Sequence, residues 1–413
     1  MSKFTDTWND LRWLTSADAG PNFALTAEAG LSQLQQADRL RRALSPERAR
    51  LVLEQTALRR RACEKFAKSE RMFFAPAALE QATDELIARY KAQRFPVAKL
   101  VLDLCCGIGG DLLALADRGP VLGVEFDPCR AQLAAANLRV CRAARPGASR
   151  TALQAARHGQ LVVCGDASRL RIPRDCCWHI DPDRRASGRR VVVAQYFSPA
   201  IDVLQSMLAD APHAAVKLAP ATFVPDTWPQ RSELEWISRG GECRQQVAWF
   251  GRLASVPTLR RATRVGPSGE VGSIVGRPDV PVDVAQSLGR YLHEPDPAVL
   301  AARLTGAFAA ELQLWAIDAG SIYLTSDRSA CHALAASFEI EAVMPLDVRK
   351  LRQHLRARNI GNVEIKKRGV EHDPALVRKQ LALRGKHTAT VVLTRVAGSG
   401  VAIVAQRQVT APA

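Results

Sequence analysis

Residues 100–116 read LVLDLCCGIGGDLLALA. An apolar run ends in Asp103, two cysteines follow, glycines stand at 107, 109 and 110, and a second apolar run begins. The first run has the length of a buried strand, and the second, stopped by Gly119, reads as a helix. Glycines between them permit a tight turn and let a ligand approach the backbone closely. The free N–H groups that open the following helix favour negative charge. A dinucleotide turn requires G-x-G-x-x-G, whereas the third glycine position is occupied here by Leu112. Asp111 at the helix start would moreover repel a pyrophosphate.

Outward from this stretch, strand and helix alternate. VLGVE, QLVVCGD, CCWHIDP and AAVKLAP read as strands, with DPCRAQLAAANLRVCRAA and SPAIDVLQSMLADA as helices among them. Such alternation predicts a parallel, doubly wound sheet with its ligand at the carboxyl ends of the strands. Residues 1–95 read as helical instead. Ser45 is placed as an N-cap and Pro46 at the first helical position, and PAALEQATDELIARYKAQRFP forms a second unit between Pro76 and Pro96. Beyond Pro257 one helix is predicted over DPAVLAARLTGAFAAELQLWAI, a strand over SIYLTSD and a basic amphipathic helix over LDVRKLRQHLRARN. VEIKKRGV, TATVVLTRV and GVAIVAQR then read as strands and PALVRKQLAL as a helix. The expected organisation is a helical region at 1–95, a Rossmann-like α/β domain at 96–256, an α+β connecting module at 257–340 and a basic C-terminal module at 341–413.

Composition narrows the class. The ten cysteines of this 413-residue chain include no C-x-x-C pair, so neither a zinc site nor a disulfide framework is expected, and no metal is implied. Cys105 and Cys106 are expected to be small residues packing the turn. MSKFTDTWNDLRWLTS has no basic region followed by an apolar core, and no apolar run approaches the ~20 residues of a bilayer span. A cytoplasmic protein is the expectation. Lys and Arg number 57 against 41 Asp and Glu, a net charge of +16. Thirteen of the basic residues, against four acidic ones, fall between Pro345 and Arg395. A basic surface of this density attracts phosphate backbones.

The strand ends carry the chemistry. Asp103, Glu125, Asp166 and Asp181 each terminate a different strand. One such residue is ordinarily a helix cap. An ordered set of four beside a glycine turn suits S-adenosylmethionine, which has a sulfonium, an amine and a carboxylate but no phosphate. Asp103 is placed for the amine, Glu125 for the ribose hydroxyls and Asp166 for the adenine amino group.

The arrangement resembles class I S-adenosylmethionine-dependent methyltransferases. LEQATDELIARYKAQRF, DLCCGIGGD, DPDRR, VKLAP, ELEWIS and IKKRGVEHDPALVRKQLALRGKHTATVVLTR together resemble a bacterial group with ferredoxin-like and THUMP-like C-terminal regions, over about Arg59 to Arg407. The resemblance implies S-adenosylmethionine as cofactor and RNA (a tRNA or rRNA base) as substrate. It assigns Asp103, Cys105, Gly107, Gly109 and Gly110 to the methionine end of the cofactor, Glu125 and Phe126 to the ribose side, and Asp166 and Ala167 to the adenine. Gln81 and Thr83 fall in the segment that closes over the cofactor in related enzymes. Asp181, Pro182, Asp183 and Arg184 stand where amino-methylating relatives carry Asp/Asn-Pro-Pro-aromatic, so the base-stacking ring of that motif is replaced. A uracil C5 methyltransferase would need a nucleophilic cysteine on a later strand, where this chain has KLAPAT. Arg185, Lys217, Lys366, Lys367 and Arg368 are the expected substrate contacts. Two rivals stay open at this point: a methyltransferase of a small molecule or protein, and a non-catalytic RNA-binding protein with a vestigial methyltransferase fold.

Overall fold

The N-terminal helices form where capping chemistry starts them. Ser32 and Gln35 make a reciprocal capping box at the start of α3 (Gln33–Ala43), and Ser45 caps α4 (Pro46–Ala62), with Pro46 in its first turn. With α1 (Ser2–Leu14) and α2 (Gly20–Ala27) they bury Leu14, Leu40, Val52, Leu58 and Phe74. Ile108 of the glycine turn and Leu133 of α8 (Pro128–Ala143) lie in the same cluster, so the helices and the turn share one core. Two buried amides lace the extended residues before Pro76 into it. Gln55 bonds both the N–H and the carbonyl of Phe74 (2.9 and 2.5 Å). Asn137 does the same for Phe73 and also donates to the Ile108 carbonyl at 2.9 Å. The computed structural model describes residues 2–27, 32–143, 160–183, 185–186, 189–190 and 197–408.

The segment between Pro76 and Pro96 is not one helix. It divides into α5 (Pro76–Gln81) and α6 (Glu85–Ala92), because Asp84 leaves the helix and caps α6 through Leu86 N and Ile87 N. That corner holds Thr83, and it becomes part of the site.

The described chain forms two compact units, residues 1–232 with 247–257, and residues 233–246 with 258–413. In the first, the parallel strands run in the order β7 (Ala214–Leu218), β4 (Cys177–Ile180), β1 (Val101–Leu104), β2 (Val121–Glu125), β3 (Gln160–Cys164). Asp103 faces Gly123 on one side and His179 on the other in this register. The central strand β1 is buried throughout, as a strand covered on both faces must be. α7 (Gly110–Ala116) follows β1, α8 follows β2, and α9 (Ile201–Asp210) precedes β7. The short strands β5 (Arg185–Ala186) and β6 (Arg189–Arg190) form a separate antiparallel pair.

The chain passes to the second unit within β8 (Ser232–Arg239) and back within β9 (Glu242–Phe250). In the second unit β10 (Arg260–Val265) runs parallel to β8 and antiparallel to β11 (Val271–Gly276). A seven-stranded sheet has the order β13 (Trp315–Ala316), β14 (Leu324–Ser326), β12 (Tyr291–Pro295), β15 (Ala335–Pro345), β18 (Ser399–Arg407), β17 (His387–Val396), β16 (Ile360–Lys367). The helix expected over 296–317 is broken into α10 (Pro297–Ala301) and α11 (Thr305–Leu312). Between them Arg303 takes a left-handed φ of 59° while Asp279 pairs with its side chain and donates a backbone N–H to its carbonyl. Alternating residues of β17 and β18 face two cores. Val391, Leu393, Ala402 and Val404 meet Leu351 and Leu355 of α12 (Val348–Ala357) and Val377 and Leu381 of α13 (Pro374–Leu381). Val392, Ile403 and Ala405 meet Leu292, Tyr323 and Phe338.

Candidate active site at the carboxyl ends of the parallel strands

A cavity of about 620 Å³ opens at the carboxyl ends of β1, β2, β3 and β4, within the size range of small-molecule sites. The glycine turn forms its base. Cys105, Gly107 and Gly109 have φ of 55°, 57° and 95°. The left-handed region costs glycine nothing and a side chain something, so Cys105 occupies a position that suits glycine. The neighbouring Cys106 is buried, and burial drives both thiols far above their ordinary range. A thiol held protonated is a poor nucleophile. A Cβ on Gly110 would come within 3.0 Å of the Thr83 backbone, so glycine here lets the α5–α6 corner lie directly on the start of α7.

Above the turn is a buried polar network. Asp103, 1 % exposed, receives a 2.7 Å hydrogen bond at Oδ1 from His179 Nδ1. Its Oδ2 is buried with no protein partner. Burial pushes the Asp103 carboxyl upward, and the hydrogen bond from His179 opposes this. Asp111 accepts from Thr83 Oγ1 at 2.6 Å and pairs with Lys91 Nζ at 2.7 Å, while Lys91 Nζ lies 3.4 Å from His179 Nε2. Burial disfavours the Asp111 anion, but the charges of Lys91 and Lys217 and the bond to Lys91 outweigh it and hold the carboxyl well below its usual range. Burial lowers Lys91.

The other sequence-selected residues divide by what they touch. Glu125 accepts the Gly107 N–H at 2.8 Å on one oxygen and the Asp127 N–H at 3.1 Å on the other. It thereby ties the end of β2 to the turn, with further lone pairs for hydroxyl donors. Phe126 beside it is 75 % exposed and lines the cavity. Asp166 caps the 3-10 turn Ala167–Arg169 through the Ser168 N–H and hydroxyl, which hold its carboxyl below the usual range. Ala167 and Gln81 also line the cavity. Asp181 is ion-paired to the buried Lys217 at 2.6 Å, and Lys217 also reaches the Gln81 carbonyl at 3.5 Å. Pro182 is buried, and Asp183 is anchored by a two-way backbone bridge to Ser198, its buried Oδ1 having no partner among the described residues. Arg184 and the side chain of Arg185 lie outside the described residues. In the second unit Lys366 is paired with Glu294 and Glu364 (2.7 and 3.3 Å), while Lys367 and Arg368 are exposed.

Sequence reasoning missed Lys91, His179 and the Thr83–Asp111 pair. The one available signal was the histidine within an otherwise apolar strand, CWHI.

The residues present fit S-adenosylmethionine: a buried carboxylate oxygen without a partner suits its amine, and a glycine-type turn suits close approach of its methionine part. The fold is that of a class I methyltransferase. Comparison with known proteins narrows this. The chain is 31 % identical over 369 residues to two S-adenosylmethionine-dependent methyltransferases of Mycobacterium tuberculosis, spanning 87 % of this chain and 96 % of each relative. It belongs to that S-adenosylmethionine-dependent methyltransferase family. Residues 335–407 match a family model described as THUMP domain-like. A crystal structure from Porphyromonas gingivalis, described as a methyltransferase, shares the fold with a TM-score of 0.74 at 19 % identity, over 94 % of this chain and 97 % of the other. No described helix is long and apolar enough to cross a membrane.

Proposed function

We propose that the chain transfers a methyl group from S-adenosylmethionine to a base of RNA. One observation carries the choice of RNA: the basic outer surface of the THUMP-like region. α12 and α13 lie side by side over one sheet face and bury Leu351, Leu355, Val377 and Leu381 in it. Their outer surface exposes Arg349, Lys350, Arg356, Arg378 and Lys379, none of them ion-paired among the described residues. Unpaired cations on a rigid helical surface suit phosphate contacts, which position a nucleic acid without reading its sequence. Lys367 and Arg368 extend the set. Lys366 is committed to two carboxylates and contributes less.

In this reading Asp103 holds the cofactor amine, the turn at Cys105, Gly107, Gly109 and Gly110 supports the methionine part, and Glu125 with Phe126 meets the ribose and adenine edge. Asp166 and Ala167 border the adenine, and Gln81 and Thr83 form the roof. When bound, S-adenosylmethionine supplies an electrophilic methyl group on a sulfonium. The protein's own work is then orientation, the main source of rate in such a displacement. Asp181, with one oxygen held by Lys217, keeps the other for an N–H of the target base and takes the proton released there. Asp183 offers a second acceptor two residues on. Cys243, whose thiol burial pushes up to about 12, is unsuited to the covalent route of C5 methylation.

The test is transfer of labelled methyl from S-adenosylmethionine to total RNA, protein and small-molecule pools from cells lacking the gene. The proposal requires label in a defined RNA nucleoside. Label confined to another pool refutes it.

A further inference from the structure

The buried network does more than fill space, because the chemistry of its members fixes which way each proton points. A lysine ammonium has only donors, so the ring nitrogen facing it, His179 Nε2 at 3.4 Å, must present a lone pair. Asp111 Oδ2, at 3.7 Å from the same nitrogen, is too far to compete as a hydrogen-bond acceptor. The ring proton therefore sits on Nδ1 and points at Asp103 Oδ1, 2.7 Å away. Donation runs in one direction, from Lys91 through His179 to Asp103. Lys91 is itself anchored by Asp111, and Asp111 by Thr83 of the roof. One Asp103 oxygen is thereby occupied, the other is buried with no partner among the described residues, and Asp103 lines the cavity.

We propose that His179 is a positioning residue for cofactor binding: it locks the Asp103 carboxylate in one rotamer so that a single oxygen faces the amine of S-adenosylmethionine. The inference rests on the reading that Asp103 receives that amine. His179 lines the cavity beside Asp103; acting through that carboxylate, its removal is felt only where a ligand carries the amine. Without the ring, the carboxylate loses its one fixed partner and turns to satisfy both oxygens, and the oriented acceptor is gone. A purely structural role would weaken every ligand of the cavity alike.

The experiment is calorimetric titration with S-adenosylhomocysteine, which has the amine, and 5′-methylthioadenosine, which has the adenosine and sulfur but neither amine nor carboxylate. His179→Leu is expected to weaken S-adenosylhomocysteine about tenfold or more, as loss of a hydrogen bond to a charged group does. It should leave 5′-methylthioadenosine within about twofold, the margin of an unaffected site. His179→Asn, which returns an N–H toward Asp103, should recover most of the loss. In an Asp103→Asn background, His179→Leu should cost nothing further. Equal loss of both ligands, no recovery by asparagine, or full additivity with Asp103→Asn overturns the role assigned to His179. An Asp103→Asn variant that binds S-adenosylhomocysteine normally overturns instead the placement of the amine, so the two failures are distinguishable.

Discussion

Replacing Lys91 by methionine tests whether the buried network is held by charge. Methionine keeps most of the stem volume, so the change removes little packing and isolates the ammonium. Lys91 is 1 % exposed and its Nζ stands 2.7 Å from Asp111 Oδ1. At an effective dielectric of ~20, two charges at that distance attract by about 6 kcal/mol. Asp111 keeps only the Thr83 hydroxyl at 2.6 Å among these partners. A loss of about 3–5 kcal/mol is therefore expected, as when one partner of a buried pair is removed. The measurement is equilibrium urea unfolding followed by emission of the buried Trp178, Trp228 and Trp249. Adding Asp111→Asn removes the orphaned charge while keeping an acceptor for Thr83, and should restore most of the stability. The sign of the pH dependence follows from Asp111, whose carboxyl is depressed in the folded state. Its contribution in the wild type is complete above the ordinary carboxylate range and is lost as pH falls through the lowered value. Lys91→Met forfeits that contribution, so its deficit is largest at neutral pH and narrows on acidification. A deficit under about 1 kcal/mol, or a double variant no more stable than the single one, refutes the reasoning.

Two further outcomes are expected. Reversing Arg349, Lys350 and Arg356 to glutamate should weaken binding of total tRNA at least tenfold and reduce its salt dependence by about one unit of slope per lost phosphate contact, with S-adenosylhomocysteine affinity unchanged; unchanged RNA binding on filters would contradict the RNA-facing assignment of α12. In the second unit, burial lowers His293 to about 4 while Ser337 and Ser326 meet its two nitrogens at 2.9 and 2.8 Å. The unfolded state then binds the proton first, so stability falls by about 3 kcal/mol as pH drops from 6.5 to 4. Hydrogen exchange of β12 and β15 amides should record that loss, and His293→Gln should flatten it; an unchanged profile in the variant would assign the loss elsewhere.

The sheet was legible because its strands are short apolar runs, four of the five ending at an acidic residue, and every one of VLDL, VLGVE, QLVVC, CWHI and AAVKL forms. The tight turn after β1 was legible too, while the left-handed backbone of Cys105 was not. The helix breaks were not. Thr83-Asp84 and Arg303 contain neither glycine nor proline, and what breaks each helix is a partner elsewhere: Asp111 and the α6 cap in one case, Asp279 in the other. The same blindness hid the polar network. Lys91 reads as an ordinary basic residue of an amphipathic helix, because the groups that bury it, Asp111 and His179, are distant in sequence. Lys217 was visible as a lysine in an apolar strand, but its pairing with Asp181 follows only from the strand order β4–β7.

The spacing of those partners along the chain has a consequence for synthesis. Thr83 meets Asp111 across 28 residues, His179 meets Asp103 across 76, Lys91 meets His179 across 88, and Lys217 reaches Gln81 across 136. A ribosome needs about 5 to 20 s to travel from residue 111 to residue 217. During that interval the nascent chain owns the glycine turn, the roof and Asp103, but the histidine and then the second lysine have still to arrive. The pocket is thus closed from its far end, by residues made last. The methyl donor cannot serve as a template for early folding; it recognises only a chain whose central sheet has already been completed.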